Sequence, residues 1–258
     1  MSPFRPLVLG YHAASAAWPH ALSLAPEQIE RQVTKLLRRH FRPATAEEVV
    51  ANPDAQLLHV TFDDAFASVA DVLPALERLG VPATVFVSTA FADGEQPFRV
   101  PELEAQYVAY PDEFATLGWP ELRALAERGV EIGSHTVSHP HLPRLSDGEI
   151  ERELAESRRR VEEMLGQPCR FLAYPYGEED ARCRRAARAA GYRAAFAFGS
   201  FGSPAHELDG DPYALPRVGM FRGSGRLRDR LKTTFAVRRS AAILARLAGA
   251  AGHPAKIA

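Results

Sequence analysis

Two short stretches contain the residue types that metal-assisted hydrolysis needs. In His59-Val60-Thr61-Phe62-Asp63-Asp64, two adjacent carboxylates stand where an apolar run gives out, and in a barrel that end of a strand carries the active site. On its own the pair reads equally well as a turn or as a helix N-cap before Val69. The second stretch, Gly133-Ser134-His135-Thr136-Val137-Ser138-His139-Pro140-His141, follows the apolar segment Val130-Glu131-Ile132. Imidazoles at i and i+4 converge on one ion if the backbone makes a helical turn. One carboxylate with two neutral imidazoles leaves a coordination position open to water, which is a catalytic rather than a structural arrangement. The other aspartate is then free to take a proton from that water. A third segment, Phe171-Leu172-Ala173-Tyr174-Pro175-Tyr176-Gly177, ends in a Pro and a Gly that shape a tight turn and expose a backbone N–H suited to an oxyanion. As a plain strand-to-helix connection it reads just as readily.

Elements able to position these residues are visible as alternation. Apolar runs at 7–9, 57–60, 84–87, 130–132, 171–173 and 194–196 read as strands, and helical patterns fill 26–40, 69–79, 120–128, 146–165 and 180–190. Gly80, Gly129, Gly166 and Gly191 close four of the helices. The helix from Ser146 is the best marked, with capping-box spacing in Ser146-Asp147-Gly148-Glu149 and an apolar stripe of Ile150, Leu154, Val161 and Leu165. Its Arg158-Arg159-Arg160 run, alongside Glu149, Glu151, Glu153, Glu156, Glu162 and Glu163, reads as a solvated, charge-paired face. Strand-helix alternation predicts a parallel sheet, and without a glycine-rich dinucleotide fingerprint a barrel is favoured over an open sheet. Residues 90–118 break the alternation with Pro97, Pro101 and Pro111 among Phe98, Tyr107, Tyr110 and Phe114. That segment reads as a long loop or lid on the active side.

At 258 residues and 46% hydrophobic content the chain suits one domain with a sizeable core. The net charge of -1 gives no reason to expect nucleic acid. From Arg217 onward, however, Asp229 is the sole acid among many Lys and Arg. The expected division is a barrel over 1–225 and a basic helical extension over 226–258. In that extension Leu227, Leu231, Ile243, Leu244 and Leu247 form an apolar face, for docking on the barrel or for weak contact with a membrane surface. Cys169 and Cys183 have no Cys-x-x-Cys spacing, so two buried free thiols are expected. The apolar run from Pro6 to Gly10 is too short for a signal peptide, and no segment approaches membrane-spanning length, so the expected location is cytoplasmic.

Taken in order, Thr61-Phe62-Asp63-Asp64, His135-Thr136-Val137-Ser138-His139 and Tyr174-Pro175-Tyr176-Gly177 resemble the first three motifs of the NodB-type polysaccharide deacetylases. Gly10-Tyr11-His12 is similar to their first strand, and the resemblance runs from Leu7 to Arg217. It implies an α/β fold, a distorted (β/α) barrel, and hydrolysis of acetyl groups from an N- or O-acetylated oligo- or polysaccharide. It also implies a divalent metal on Asp64, His135 and His139: zinc, with cobalt or nickel as alternatives. Asp63 would be the base for attack of metal-bound water on the carbonyl, with the Tyr176 N–H at the oxyanion and Tyr11, Tyr174 and Pro175 as substrate contacts.

Two departures from the pattern matter. Many members have Arg two residues before the motif-three proline, where this chain has Ala173; Arg217, in Tyr213-Ala214-Leu215-Pro216-Arg217, is the expected substitute, reaching Asp63 from the next strand end. The late Leu-x-His that supplies a general acid is missing, and His12 is the candidate in its place. The candidate catalytic set is thus Asp63, Tyr176, Arg217 and His12. Two other readings are an amidase on a small N-acyl or cyclic amide substrate, and a non-catalytic glycan-binding protein that retains the barrel.

Overall fold

The computed structural model describes residues 6–93, 96–198 and 211–223. Strand β1 (Leu7–Tyr11) leads through α1 (Pro26–Leu37) to a two-residue β2 (Arg42–Pro43), then α2 (Ala46–Ala51) and β3 (Leu57–Phe62). There follow α3 (Leu73–Arg78), β4 (Ala83–Val87), α4 (Glu104–Ala109), α5 (Trp119–Glu127), β5 (Glu131–Ser134), α6 (Asp147–Leu165), β6 (Phe171–Ala173), α7 (Ala181–Ala189), β7 (Ala194–Phe198) and β8 (Leu215–Gly219). All pairings in the sheet are parallel. The sheet closes because β1 pairs with both β3 and β8, which makes a ring of seven strands with β2 appended outside it on β3. The ring is uneven: β6 has three residues and meets β5 through the single register pair Ser134↔Leu172. This is the expected distorted (β/α) barrel.

Period-two alternation sorts the side chains into two cores. Val8, Leu57, Phe86, Phe171, Ala173, Ala194, Phe196 and Leu215 fill the barrel from within, and Ala44, Ala46 and Val49 of the α2 region complete that cluster. The complementary strand positions, among them Leu7, Leu9, Tyr11, Leu58, Val60 and Phe62, pack outward against the helices. The sequence pattern does not reveal α2, since six residues are too few to show a helical period. Its start is fixed by Thr45, whose hydroxyl accepts from Glu48 N–H while the Glu48 carboxylate accepts from Thr45 N–H.

The helix ends follow local chemistry. Gly166 ends α6 at φ 67°, and the Asp180 carboxylate caps α7 by accepting from the N–H groups of Arg182 and Cys183. The helix expected from Val69 is a 3-10 turn over Ala67–Asp71 followed by α3, whose first turn holds Pro74, where a missing N–H costs nothing. Arg158 departs from the solvated-face reading. Its guanidinium donates to the carbonyls of Cys169 and Ala190, tying α6 to β6 and α7, whereas Arg159 is exposed and pairs with Glu163.

Residues 96–118 form a packed wall in place of the expected loop or lid. Phe98 and Phe114 are buried with Phe66 and Trp18 in edge-on and tilted contacts, and Trp18 Nε1–H donates to Gln106. The wall is stitched to the segment after β3 by Ala67 N–H to the Ala115 carbonyl and Leu117 N–H to the Ala65 carbonyl, each at 2.8 Å. Cys169 and Cys183 are both buried free thiols. No helix among the described residues is long and apolar enough to cross a membrane. The basic extension over 226–258 lies outside the described residues.

Candidate active site

Asp63 continues the β3 ladder, its N–H bonded to the Tyr11 carbonyl, and the chain then turns sharply through Asp64 at φ 66° and Ala65 at φ 50°. After β5, Thr136 at φ 72° and His139 at φ 59° bend the chain in the same left-handed way. His139 therefore arrives on a strained loop and not on the helical turn that the i, i+4 spacing suggests. The loop closes on itself, with the Thr136 hydroxyl accepting from His139 N–H at 3.0 Å and Ser134 Oγ accepting from Thr136 N–H at 3.1 Å. Tyr176, at φ 59°, gives the third motif the same conformation. Non-glycine residues held there cost about 1–3 kcal/mol each and gather where geometry serves function.

These loops bring Asp64, His135 and His139 into one buried cluster, with ligand atoms all within 4.8 Å of one another. Asp64 Oδ1 lies 3.5 Å from His135 Nε2 and 3.3 Å from His139 Nε2. His135 Nδ1 lies 2.7 Å from the Ala173 carbonyl, which only accepts, so the proton sits on Nδ1 and the Nε2 lone pair faces Asp64. Burial lowers the pKa of both imidazoles and keeps them neutral. Asp64 fares worse, because burial and the neighbouring Asp63 push its carboxyl well above the usual range, and Oδ1 has no hydrogen-bond partner. A divalent cation would give this carboxylate oxygen and both nitrogens a partner. Two neutral nitrogens and a carboxylate oxygen suit a zinc-type ion with one side left open.

Asp63 is handled differently. Arg217 donates from Nη1 to Oδ1 at 2.6 Å and from Nη2 to Oδ2 at 2.9 Å, with a further bond from Nη1 to the Thr61 hydroxyl at 3.0 Å. Burial opposes ionisation, yet Arg217, with smaller help from His135 and His12, holds the Asp63 carboxyl down at about 2. Two chemically identical side chains thus receive opposite environments. The guanidinium is flanked by the rings of Phe198 and Phe86, 4.3 and 5.4 Å from their centroids. His12 stacks between Phe198 and Phe221, and its Nδ1 is buried without a partner. Burial, despite the opposing pull of Asp63, lowers its pKa to about 4.

At Tyr176 the turn bonds engage the N–H groups of Gly177 and Glu178 and not its own. Its ring packs edge-on to His139 and lies flat on His141 at 3.8 Å, and its hydroxyl donates to Glu102 of the wall. His141, the third histidine of its segment, stays out of the cluster and bonds Glu102 and Glu178 instead. Nothing in the sequence marks Glu102, an exposed glutamate in a region that reads as loop.

The expected substrate contacts are corrected by the alternation. With Gly10 on the barrel side of β1, Tyr11 faces the helix layer, fully buried, with its hydroxyl on Gln32. Tyr174 is likewise buried, its hydroxyl bonded to the Tyr213 carbonyl, and Pro175 is buried within the turn. None of the three presents a surface to a substrate.

A polysaccharide deacetylase family profile matches residues 51–195, more than half of the chain and inclusive of all three motifs. The chain belongs to the polysaccharide deacetylase family. It is 24% identical over 219 residues to YxkH of Bacillus subtilis (strain 168), which covers 82% of this chain and 70% of that protein. The deacetylase PplD of Streptococcus pyogenes, solved in complex with acetate, superposes with a TM-score of 0.71 at 20% identity, covering 90% of this chain and 100% of that one. IcaB from Ammonifex degensii also gives a TM-score of 0.71 at 20% identity, covering 91% and 99%. Those two likenesses establish the barrel, and membership of the family makes this deacetylase a hydrolase of acetylated carbohydrate.

Proposed function

We propose that this chain removes acetyl groups, from nitrogen or oxygen, from an oligo- or polysaccharide, using a divalent cation, zinc first, on Asp64, His135 and His139. The observation that carries the reading is the split between the two aspartates. One is left without a hydrogen bond on Oδ1, facing two imidazoles, and the other is locked ionised by Arg217.

A cation held there would polarise the acyl carbonyl and acidify a water molecule. Asp63, ionised and fixed in rotamer, takes the proton from the attacking water. The same carboxyl, now protonated, returns the proton to the departing nitrogen or oxygen. His12, stacked between Phe198 and Phe221 with no hydrogen-bond partner on Nδ1, is the other candidate for that step. The Tyr176 N–H, not used by the bonds that close its turn, is the donor for the developing oxyanion in this reading.

The test is acetate release from a panel of acetylated oligosaccharides and short amides, with metal-free protein and after addition of zinc, cobalt or nickel. Release from glycans that needs metal and is lost in Asp63→Asn with metal still bound supports deacetylation. Release from the amides alone supports the amidase reading, and glycan binding without release supports the non-catalytic one.

A further inference from the structure

Glu153 belongs to the face of α6 that reads from sequence as solvated and charge-paired. Its carboxylate instead turns toward the loop that carries the two histidine ligands. Oε2 accepts from the N–H groups of Val137 at 2.8 Å and Ser138 at 3.0 Å, and Oε1 accepts from the Ser138 hydroxyl at 2.7 Å. Two successive backbone donors thus converge on a single side-chain oxygen, which fixes the orientation of both peptide units. The loop needs such an anchor, for it holds two non-glycine residues in the left-handed region, Thr136 and His139. The bonds among Ser134, Thr136 and His139 close the loop only upon itself. Glu153 ties it to an outside body, a 19-residue helix seated through Ile150, Leu154, Ser157 and Val161.

We propose that Glu153 is a positioning residue for the metal, holding the loop in its ligating conformation so that His139 stands beside Asp64 before a cation arrives. The inference rests on the reading of Asp64, His135 and His139 as the metal site. A ligand loop released from its outer partner must be ordered by the cation itself, and losses of this kind weaken metal affinity about 10–100-fold.

The experiment measures zinc affinity by competition with a chromophoric chelator, together with the melting of each metal-free variant. Glu153→Ala is expected to raise the zinc Kd at least about 10-fold while the metal-free melting temperature stays close to that of the parent chain. Glu153→Gln keeps an oxygen for the two N–H groups and an amide donor for the Ser138 oxygen, and is expected to remain within about threefold of the parent. A Glu153→Ala protein that binds zinc as the parent does would overturn the proposal. So would a Gln variant as weak as the Ala one, which would make charge and not held geometry the cause. Should Glu153→Ala fail to fold, Ser138→Ala at an exposed position decides: a rise in Kd of about threefold supports the anchor, and no change refutes it. Parent protein that takes up no zinc would instead defeat the metal reading itself, an outcome recognisable before any variant is compared.

Discussion

Arg217 grips Asp63 by both carboxylate oxygens, at 2.6 and 2.9 Å, with 0% and 1% of the two side chains exposed. The planar fork fixes the carboxylate plane, which a point charge cannot do. Arg217→Lys is therefore expected to lower kcat about 100-fold on an acetylated oligosaccharide while leaving KM nearly unchanged, because a base displaced by an ångström fails in the transition state and not in binding. Steady-state kinetics on metal-loaded protein checks this. A raised KM with intact kcat would make Arg217 a substrate contact.

The fork is itself seated on Phe198 and Phe86, and glycine makes room for both rings. A methyl group at Gly10 would stand 2.4 Å from a Phe198 ring carbon, and one at Gly133 would stand 2.5 Å from Phe86. Gly10→Ala must push Phe198 from under Arg217, with an expected loss of about 1–3 kcal/mol in stability and a fall in kcat. Phe198→Leu in the same chain removes the obstructing ring, so the double variant should be more stable than the two single losses added together. Urea unfolding of the four proteins of the cycle reads the coupling, and simple additivity would show that the contact is not made.

The barrel and the candidate metal cluster were legible because strand-helix alternation and residue type suggest them: a carboxylate pair and clustered imidazoles, each at the end of an apolar strand, together point to a metal although the aspartates alone read equally well as a turn or cap. Arg217 was legible through the family resemblance, whose pattern puts an arginine where this chain has Ala173 and so points to another cation for Asp63. The assignment of Asp64 to the metal and Asp63 to the proton came from the family resemblance, not from the residues, because two adjacent aspartates are chemically identical until their surroundings are known. Tyr11 and Tyr174 misled because alternation tells which residues share a face without telling which face is the barrel interior. Glu153 and Glu102 were invisible for another reason. A glutamate on an exposed helix or loop has the same sequence signature whether it meets water or a strained turn. The wall over 96–118 has the sequence signature of a loop since its order comes from burial of Phe98 and Phe114 against distant Phe66 and Trp18, a tertiary effect that overrides proline-rich local chemistry.

His12 offers a sharp kinetic test. Stacked between Phe198 and Phe221, it is expected to matter for packing while Asp63 returns the proton. His12→Gln should keep kcat at neutral pH within about 10-fold of the parent, short of the roughly 100-fold or more that a lost acid costs. A fall of about 1000-fold with zinc still bound would return the general-acid role to His12.

Removing the metal should be visible as lost stability. A cation present at about 100 times its Kd stabilises by about 2.7 kcal/mol, which in a chain of this size corresponds to a melting shift of about 5–10 °C. Calorimetry with zinc and with excess chelator is expected to show that shift in the parent chain, and Asp64→Asn should shrink it. An equal shift in both would place the bound zinc elsewhere.

The last expectation concerns acid stability and a histidine outside the cluster. His59 lies inside the barrel with Nδ1 at 2.9 Å from the Ala44 carbonyl and Nε2 at 2.8 Å from the Thr84 hydroxyl. The carbonyl only accepts, so Nδ1 carries the proton, Nε2 accepts from Thr84, and the neutral ring is satisfied. Burial, reinforced by Arg217 against the opposing effect of the Ala44 bond, lowers its pKa from 6.5 to about 4. Between those values the unfolded chain takes up a proton that the folded one refuses, so the stabilisation is complete above pH 6.5 and is lost as the pH falls toward 4. The shift corresponds to on the order of 3 kcal/mol. Urea unfolding of metal-free protein at about pH 7.5 and about pH 4.5 measures it. His59→Gln should begin less stable at the higher pH, having lost well-made bonds, yet lose less on acidification than the parent chain does. Equal losses in the two proteins would mean that His59 does not set the acid sensitivity of the fold.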